Sequence, residues 1–257
     1  LTEPHAGSDA SNLRMTARRT SGGYVLNGTK QFITSGAIAG VVITFAVTDP
    51  AAGKKGLTAF LVPADRTGFR VGRLESKLGQ RASDTAQLVY EDVFVEEGLR
   101  IGDEGDGYRI ALANLETGRI GIAAQSVGMA AAALEHALGY ARERTAFGKA
   151  LTEHQAVAFR LADMATQVEA ARQLVLHAAA LKDAGEPCLK EACMAKLFAS
   201  EAAERIASAA VQVLGGYGYV EDFLAEKIYR DVRVCQIYEG TSDIQRLIIG
   251  REIARQG

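Results

Sequence analysis

Up to Asp103 the apolar residues come in short runs rich in Val, Thr and aromatics, separated by Gly and Pro. Runs of that length and punctuation predict strands. They fall at Tyr24-Val25-Leu26, Gln31 to Ser35, Val41 to Thr48, Leu57 to Val62, Phe69 to Val71 and Ala86 to Val95, after an extended polar stretch from Leu13 to Arg19. Asn27-Gly28 predicts a hairpin turn. Asp49 to Gly53 and Pro63 to Gly68 predict turns. Short strands in this arrangement predict an antiparallel barrel or sandwich.

Gly102-Asp103-Glu104-Gly105-Asp106-Gly107 is a hinge-like break. Beyond it Ala, Leu, Ile, Glu and Arg dominate, with apolar positions at helical spacing. Helices are predicted at roughly Tyr108 to Arg144, Glu153 to Ala184, Lys190 to Leu214, Leu224 to Val232 and Ser242 to Gln256. Gly185-Glu186-Pro187 stops one helix before the next begins. The fold class is therefore α+β: an antiparallel β-barrel or sandwich domain at 1–103, then an all-α four-helix-bundle domain at 104–257.

Composition narrows the classes of function. The 257 residues are 48% hydrophobic and 23% charged, an ordinary globular mix with enough chain for a full core. A net charge of -2 gives no electrostatic case for nucleic acid or a membrane surface. No apolar run is long enough to span a bilayer. Cys188, Cys193 and Cys235 lack the spacing of a disulfide framework or a zinc site, and the four histidines are scattered, so no metal is expected. The chain opens at Leu1 inside a loop-like stretch, as expected of a processed or truncated product.

Five segments are candidates for chemistry. Val234 to Tyr238 is a mostly apolar run that leads into Glu239, Gly240 and a helix start. Ser242 and Gln245 have the spacing of a capping box. A carboxylate behind an apolar run can be poorly solvated and therefore more basic; Glu239 can equally serve the helix start. The opening Thr2-Glu3-Pro4-His5-Ala6-Gly7-Ser8-Asp9 is either a plain turn or a set of donors for a phosphate or ring edge. Arg142 to Lys149 clusters cations at a helix end, which suits either the helix dipole or a phosphate clamp. Leu214-Gly215-Gly216-Tyr217-Gly218-Tyr219 lacks the GxGxxG pattern and follows a helix, so it is not a Rossmann loop, and no GxxxxGK(S/T) occurs, so a P-loop fails too. It is either a helix cap and turn or a place for backbone to approach a ligand where no side chain fits. Glu116 and Arg119 either pair along one helix face or meet a ligand.

Together these segments resemble the acyl-CoA dehydrogenase family of flavoenzymes. The resemblance rests on Leu1-Thr2-Glu3-Pro4-x-Ala6-Gly7-Ser8-Asp9, Leu26-Asn27-Gly28-x-Lys30-x-x-Ile33-Thr34, Arg144-x-x-Phe147-Gly148-Lys149, His154-Gln155, Gln212 to Gly216 with Gly218-Tyr219, Arg230-Asp231, and Ile237 to Ser242 with Ile244-Gln245. They occur in family order along nearly the whole chain, and the second half is most similar to the short-chain and short-branched-chain members.

The resemblance implies a middle β-domain followed by a C-terminal four-helix domain, without the family's N-terminal helical domain. It implies FAD, an acyl-CoA substrate, an electron-transfer flavoprotein as acceptor and a homotetramer, in the cytoplasm of a bacterium or the mitochondrial matrix of a eukaryote. It places Leu1, Thr2, Gly7, Ser8 and Phe32 around the flavin, with Ser8 also on the thioester arm, and Thr34 at the FAD phosphate region. Phe32 stands where Trp is usual, and Ser35 where Asn is usual. It places Arg144, Ala146, His154, Gln155, Gln212, Val213, Leu214, Gly215 and Gly216 against the FAD of a neighbouring subunit, with Ala146 replacing a frequent Thr. Thr241 and Asp243 fall on the adenine side. Glu116, Arg119, Tyr238 and Gly240 fall on the substrate side. Glu239 matches the catalytic base. Some members instead carry the base just before the helix arginine, where this chain has Gly118. The reaction implied is α,β-dehydrogenation of a short or branched acyl-CoA, the product being a trans-2-enoyl-CoA. The alternatives are an acyl-CoA oxidase-like enzyme using O2 and a non-catalytic fragment.

Overall fold

The computed structural model describes residues 1–255. The chain divides into two compact units, Leu1–Asn114 and Leu115–Gly257.

The first unit is built on seven strands: β1 (Thr16–Thr20), β2 (Gly23–Thr34), β3 (Val41–Val47), β4 (Leu57–Pro63), β5 (Phe69–Leu74), β6 (Thr85–Glu96) and β7 (Arg100–Ile101). They form one sheet in the order β5-β6-β2-β1-β3-β4-β7. The pairings are antiparallel except β1–β3, which is parallel. The sheet is open, with β5 and β7 at its edges, so the strands form a mixed sheet and not a closed barrel. Its core contains Tyr24, Leu26, Phe60, Leu88, Tyr90, Val93 and Val95. Thr44 and Tyr90, both buried, share a hydroxyl hydrogen bond of 2.8 Å.

The hairpin expected at Asn27-Gly28 does not form. β2 runs straight through it, and the turn from β1 falls at Ser21-Gly22. Two cross-strand contacts explain the difference. The Asn27 amide pairs with Asp92 of β6, donating to Asp92 Oδ1 and accepting from the Asp92 N–H, each at 2.9 Å. A Cβ on Gly28 would lie 2.8 Å from the Met15 side chain. The glycine is needed for close approach across the sheet, and the register slips there as a bulge.

A long helix, α1 (Gly107–Glu143), follows. Its first turns belong to the first unit, where Ala111 packs with Ala6, Leu13, Phe45, Leu57 and Ala59. The second unit continues with the two-stranded β8 (Thr145–Ala146) and β9 (Lys149–Ala150), then α2 (Gln155–Asp183), α3 (Leu189–Leu214), α4 (Leu224–Val232) and α5 (Ser242–Arg255). The predicted end of the last helix at Gln256 lies outside the described residues. α3 is the hub and packs against α2, α4 and α5. Ala192, Ala195, Ala199, Ala202, Ala203, Ala207 and Ala210 are all buried on it, so neighbouring backbones approach closely. The expected stop holds: Gly185 at φ 73° turns the chain, and Glu186 N–H donates to Leu181 O at 2.9 Å.

Candidate active site

The candidate base sits between α4 and α5. A short turn of helix over Arg233–Gln236 precedes it, and Glu239 and Gly240 both adopt left-handed backbone, at φ 53° and φ 86°. A glutamate at positive φ is strained, and such strain is kept only where neighbours hold it. Here they are explicit. Gln245, fully buried, donates from Nε2 to Glu239 O at 3.0 Å and to Gly240 O at 2.8 Å. Lys196 Nζ, also fully buried, donates to Gly240 O at 2.7 Å.

The expected capping box is therefore replaced. Gln245 reaches past Ser242 to the carbonyls of the strained turn. Thr241 takes the capping place, its Oγ1 accepting from Ile244 N–H at 3.4 Å. The Ser242 hydroxyl is buried without a partner among the described residues. The left-handed turn aims two carbonyls at α5, and they take up the amide that a capping box would have used.

The Glu239 side chain is half-buried and lies against Gly118 of α1. A Cβ at position 118 would come within 2.5 Å of Glu239 Oε2. The missing side chain makes room for this carboxyl. Burial raises the Glu239 pKa, while Arg119 and then Lys196 oppose the rise. Arg119 is 4% exposed, and among the described residues its Nε has no partner. A half-buried carboxyl, a buried guanidinium and a buried ammonium thus share one end of the helical unit. Tyr238 beside them donates to Gln125 Oε1 at 2.7 Å, and burial raises its pKa.

Glu116 does not pair with Arg119. It accepts from Lys182 Nζ at 2.9 Å, with Cys188 Sγ at 3.6 Å. The structure thus brings Arg119 to the candidate base and gives Glu116 another partner.

A second constellation lies at the other end of α3. Arg144, Val213, Leu214, Gly215 and Gly216 line an open cleft of about 560 Å³ with Tyr140, Tyr217 and Asp222. Gly215, at φ 63°, ends α3, and a Cβ on it or on Gly216 would meet open space. Bare backbone therefore faces the cleft. The Arg144 guanidinium stands 5.9 Å from the Tyr217 ring centre. Gln212 is exposed beside them. His154 precedes α2 and its Nε2 shares a hydrogen bond with Ala146 O at 2.9 Å, which pins the β8–β9 hairpin. Phe147 at the hairpin tip is 97% exposed, and Gln155 opens α2. Thr241 and Asp243 stand at the start of α5.

In the first unit the remaining candidates share one corner. Gln31 N–H donates to Thr2 O at 2.9 Å and ties the opening loop to β2. Gly7 and Ser8 are exposed, and Leu1 and Thr2 partly so. At the second bulge of β2, between Lys30 and Ile33, Phe32 takes φ 58° and is 62% exposed. Thr34 and Ser35 follow it, exposed. Glu3 anchors this corner from inside: its carboxylate accepts from Lys30 Nζ at 2.7 Å and from Arg14 N–H at 2.8 Å.

Both halves match known family models. Residues 1–93 match the acyl-CoA dehydrogenase middle domain, and 105–254 match its C-terminal domain. This chain belongs to the acyl-CoA dehydrogenase family. It is 54% identical over 251 residues to an acyl-CoA dehydrogenase of Bacillus subtilis, covering 98% of this chain and 66% of that one. It is 50% identical to the bovine (Bos taurus) mitochondrial short-chain specific acyl-CoA dehydrogenase, covering 99% of this chain and 62% of that one. The butyryl-CoA dehydrogenase of Megasphaera elsdenii superposes with a TM-score of 0.97 at 44% identity, covering 99% of this chain and 67% of that one. The chain thus spans about two thirds of the length of these acyl-CoA dehydrogenases.

Three features of the chain fit FAD. Glycine backbone faces open space in the α3 cleft, an arginine lines that cleft, and an exposed aromatic is held on strained backbone in the β-unit. Flat rings and phosphates need surfaces of these kinds. Reasoning on the sequence missed Lys196 and the bonds of Gln245 to the strained turn. The signal for Lys196 was available: it is a lysine on the buried, alanine-lined face of α3.

Proposed function

We propose that the protein containing this chain dehydrogenates a short or branched acyl-CoA to the trans-2-enoyl-CoA, with Glu239 as the base. The observation that carries the reading is the Glu239 carboxyl, half-buried in the space that Gly118 leaves open and made more basic by that burial. FAD, when bound, supplies the hydride acceptor. Glu239 takes the α-proton, the β-hydrogen departs with its electron pair, and the Cα–Cβ double bond forms. The α-proton is weakly acidic, so the thioester carbonyl must be polarised. The Glu239 backbone N–H serves as one donor for it.

Leu1, Thr2, Gly7, Ser8 and Phe32 of the first unit hold the ring end of the cofactor, and Thr34 its phosphate region. Arg144, Ala146, His154, Gln155 and Gln212 to Gly216 hold the cofactor of a neighbouring subunit in a homotetramer, and Thr241 and Asp243 lie on the adenine side. Ser8, Glu116, Arg119, Tyr238 and Gly240 contact the substrate. Tyr238 beside the base shortens the acyl pocket, which favours short or branched chains. Electrons pass on to an electron-transfer flavoprotein, in a bacterial cytoplasm or a mitochondrial matrix. Among the described residues no helix is long and apolar enough to cross a membrane.

The test is anaerobic addition of butyryl-, isobutyryl- and 2-methylbutyryl-CoA to the flavin-loaded protein. Bleaching of the flavin spectrum by one of them supports the reading and ranks the substrates. In Glu239→Gln the bleaching rate falls by about 10³- to 10⁴-fold with acyl-CoA binding retained. A variant that keeps substantial turnover removes Glu239 from the role. Turnover supported by O2 alone points to an oxidase.

A further inference from the structure

Lys196 is buried on α3, a helix whose buried face is otherwise lined with alanine, cysteine, serine and aliphatic side chains. Burying an ammonium is costly, and buried lysines usually meet a carboxylate. Among the described residues Lys196 instead bonds a neutral carbonyl, Gly240 O, at 2.7 Å. That carbonyl belongs to the residue after the base and already accepts from Gln245. The lysine is therefore not needed to keep the carbonyl satisfied. Its charge is the part that remains unexplained.

We propose that Lys196 is a positioning residue for Glu239: it clamps the left-handed turn through Gly240 O, and its charge favours the ionised carboxylate that the reaction needs. The inference rests on the reading of Glu239 as base. Arg119 of α1 and Lys196 of α3 are the cations that act on Glu239. Tyr238 beside Glu239, and Cys235 and Cys193 beside Lys196, are further titratable groups around the pair. Burial raises the Tyr238 and Cys193 pKa values, so both are neutral near pH 7. Lys196 is itself pushed down to about 8 by burial. It is charged at neutral pH and loses that charge in mild alkali, so its support of Glu239 is itself pH-dependent.

The decisive measurement is made on the holoenzyme containing this chain. The infrared band of the protonated carboxyl, identified as the band absent from Glu239→Gln, is titrated with pH in wild type, Lys196→Met, Lys196→Gln and Lys196→Arg. The band should persist to higher pH in the Met and Gln variants and return to the wild-type midpoint in the Arg variant. In parallel, kcat of Lys196→Met at pH 7 should fall by about tenfold with KM little changed, and recover as pH is raised. Unfolding temperature should not fall in Lys196→Met. An unchanged carboxyl midpoint in the Met and Gln variants overturns the proposal. So does loss of thermal stability without a midpoint shift, which would make the lysine structural. If Glu239→Gln turned over normally, the reading of the base would fail instead, whatever the band did.

Discussion

Two buried lysines, one in each unit, show how the same costly group serves two purposes. Lys30 in the β-unit meets Glu3 at 2.7 Å, and that carboxylate also takes the Arg14 and Met15 backbone N–H groups. Burial lowers the Lys30 pKa, and Glu3 pushes it back up. The charge is matched, and the result is a pinned loop. Lys196 in the helical unit bonds a carbonyl and meets Glu239 only through its field. A matched charge makes a fixed structure; an undermatched one leaves electrostatic influence for a neighbour.

The strongest way to break this comparison is Lys30→Met. It leaves the Glu3 carboxylate buried without its cation and should cost roughly 3–5 kcal/mol in denaturant unfolding. A loss below about 1 kcal/mol would mean that the pair does not hold the corner. Gly118→Ala comes next. The new Cβ would displace the Glu239 carboxyl, so kcat/KM should fall by about 10- to 100-fold. Helix propensity should meanwhile leave stability equal or up to about 1 kcal/mol better. Unchanged kinetics would show that the carboxyl works from another position.

Lys196→Met sharpens the contrast through pH. A lysine with a lowered folded pKa contributes stability that is fully present above its ordinary value of 10.5 and lost as pH falls through about 8. Wild type should therefore gain stability relative to Lys196→Met as pH rises from about 8 to 10.5, with a flat difference below pH 7. Chemical denaturation at several pH values reads this, and the opposite slope would contradict a depressed lysine. The smallest effect belongs to Thr241→Ala. Its capping bond is long, at 3.4 Å, so the loss should stay near the low end for a cap, about 0.5 kcal/mol. A loss above about 1 kcal/mol would return the helix start to the importance that the capping-box spacing suggested.

Elements with a clear apolar period were legible in the chain itself. The α4 helix spans Leu224–Val232 as expected, and α1, α2 and α3 begin and end within two residues of their predicted bounds. Local turn chemistry was less dependable. Asn27-Gly28 has the letters of a hairpin and forms a bulge, because Asp92 and Met15 come from elsewhere in the sheet. Ser242 and Gln245 have the spacing of a capping box, yet Gln245 serves carbonyls that point toward it only because Glu239 and Gly240 turn left-handed.

What the sequence determined by itself was therefore the order of the helices, the α+β class, the family and which carboxylate is the candidate base. All of these rest on short-range period or on residues that stand together in the chain. What only the tertiary structure decided was the environment of that base: the gap left by Gly118, the buried Arg119 and the lysine from α3. Those groups lie 121, 120 and 43 positions from Glu239 along the chain. The physical reason is that solvation and electrostatic fields depend on distance in space, and sequence separation carries no record of it.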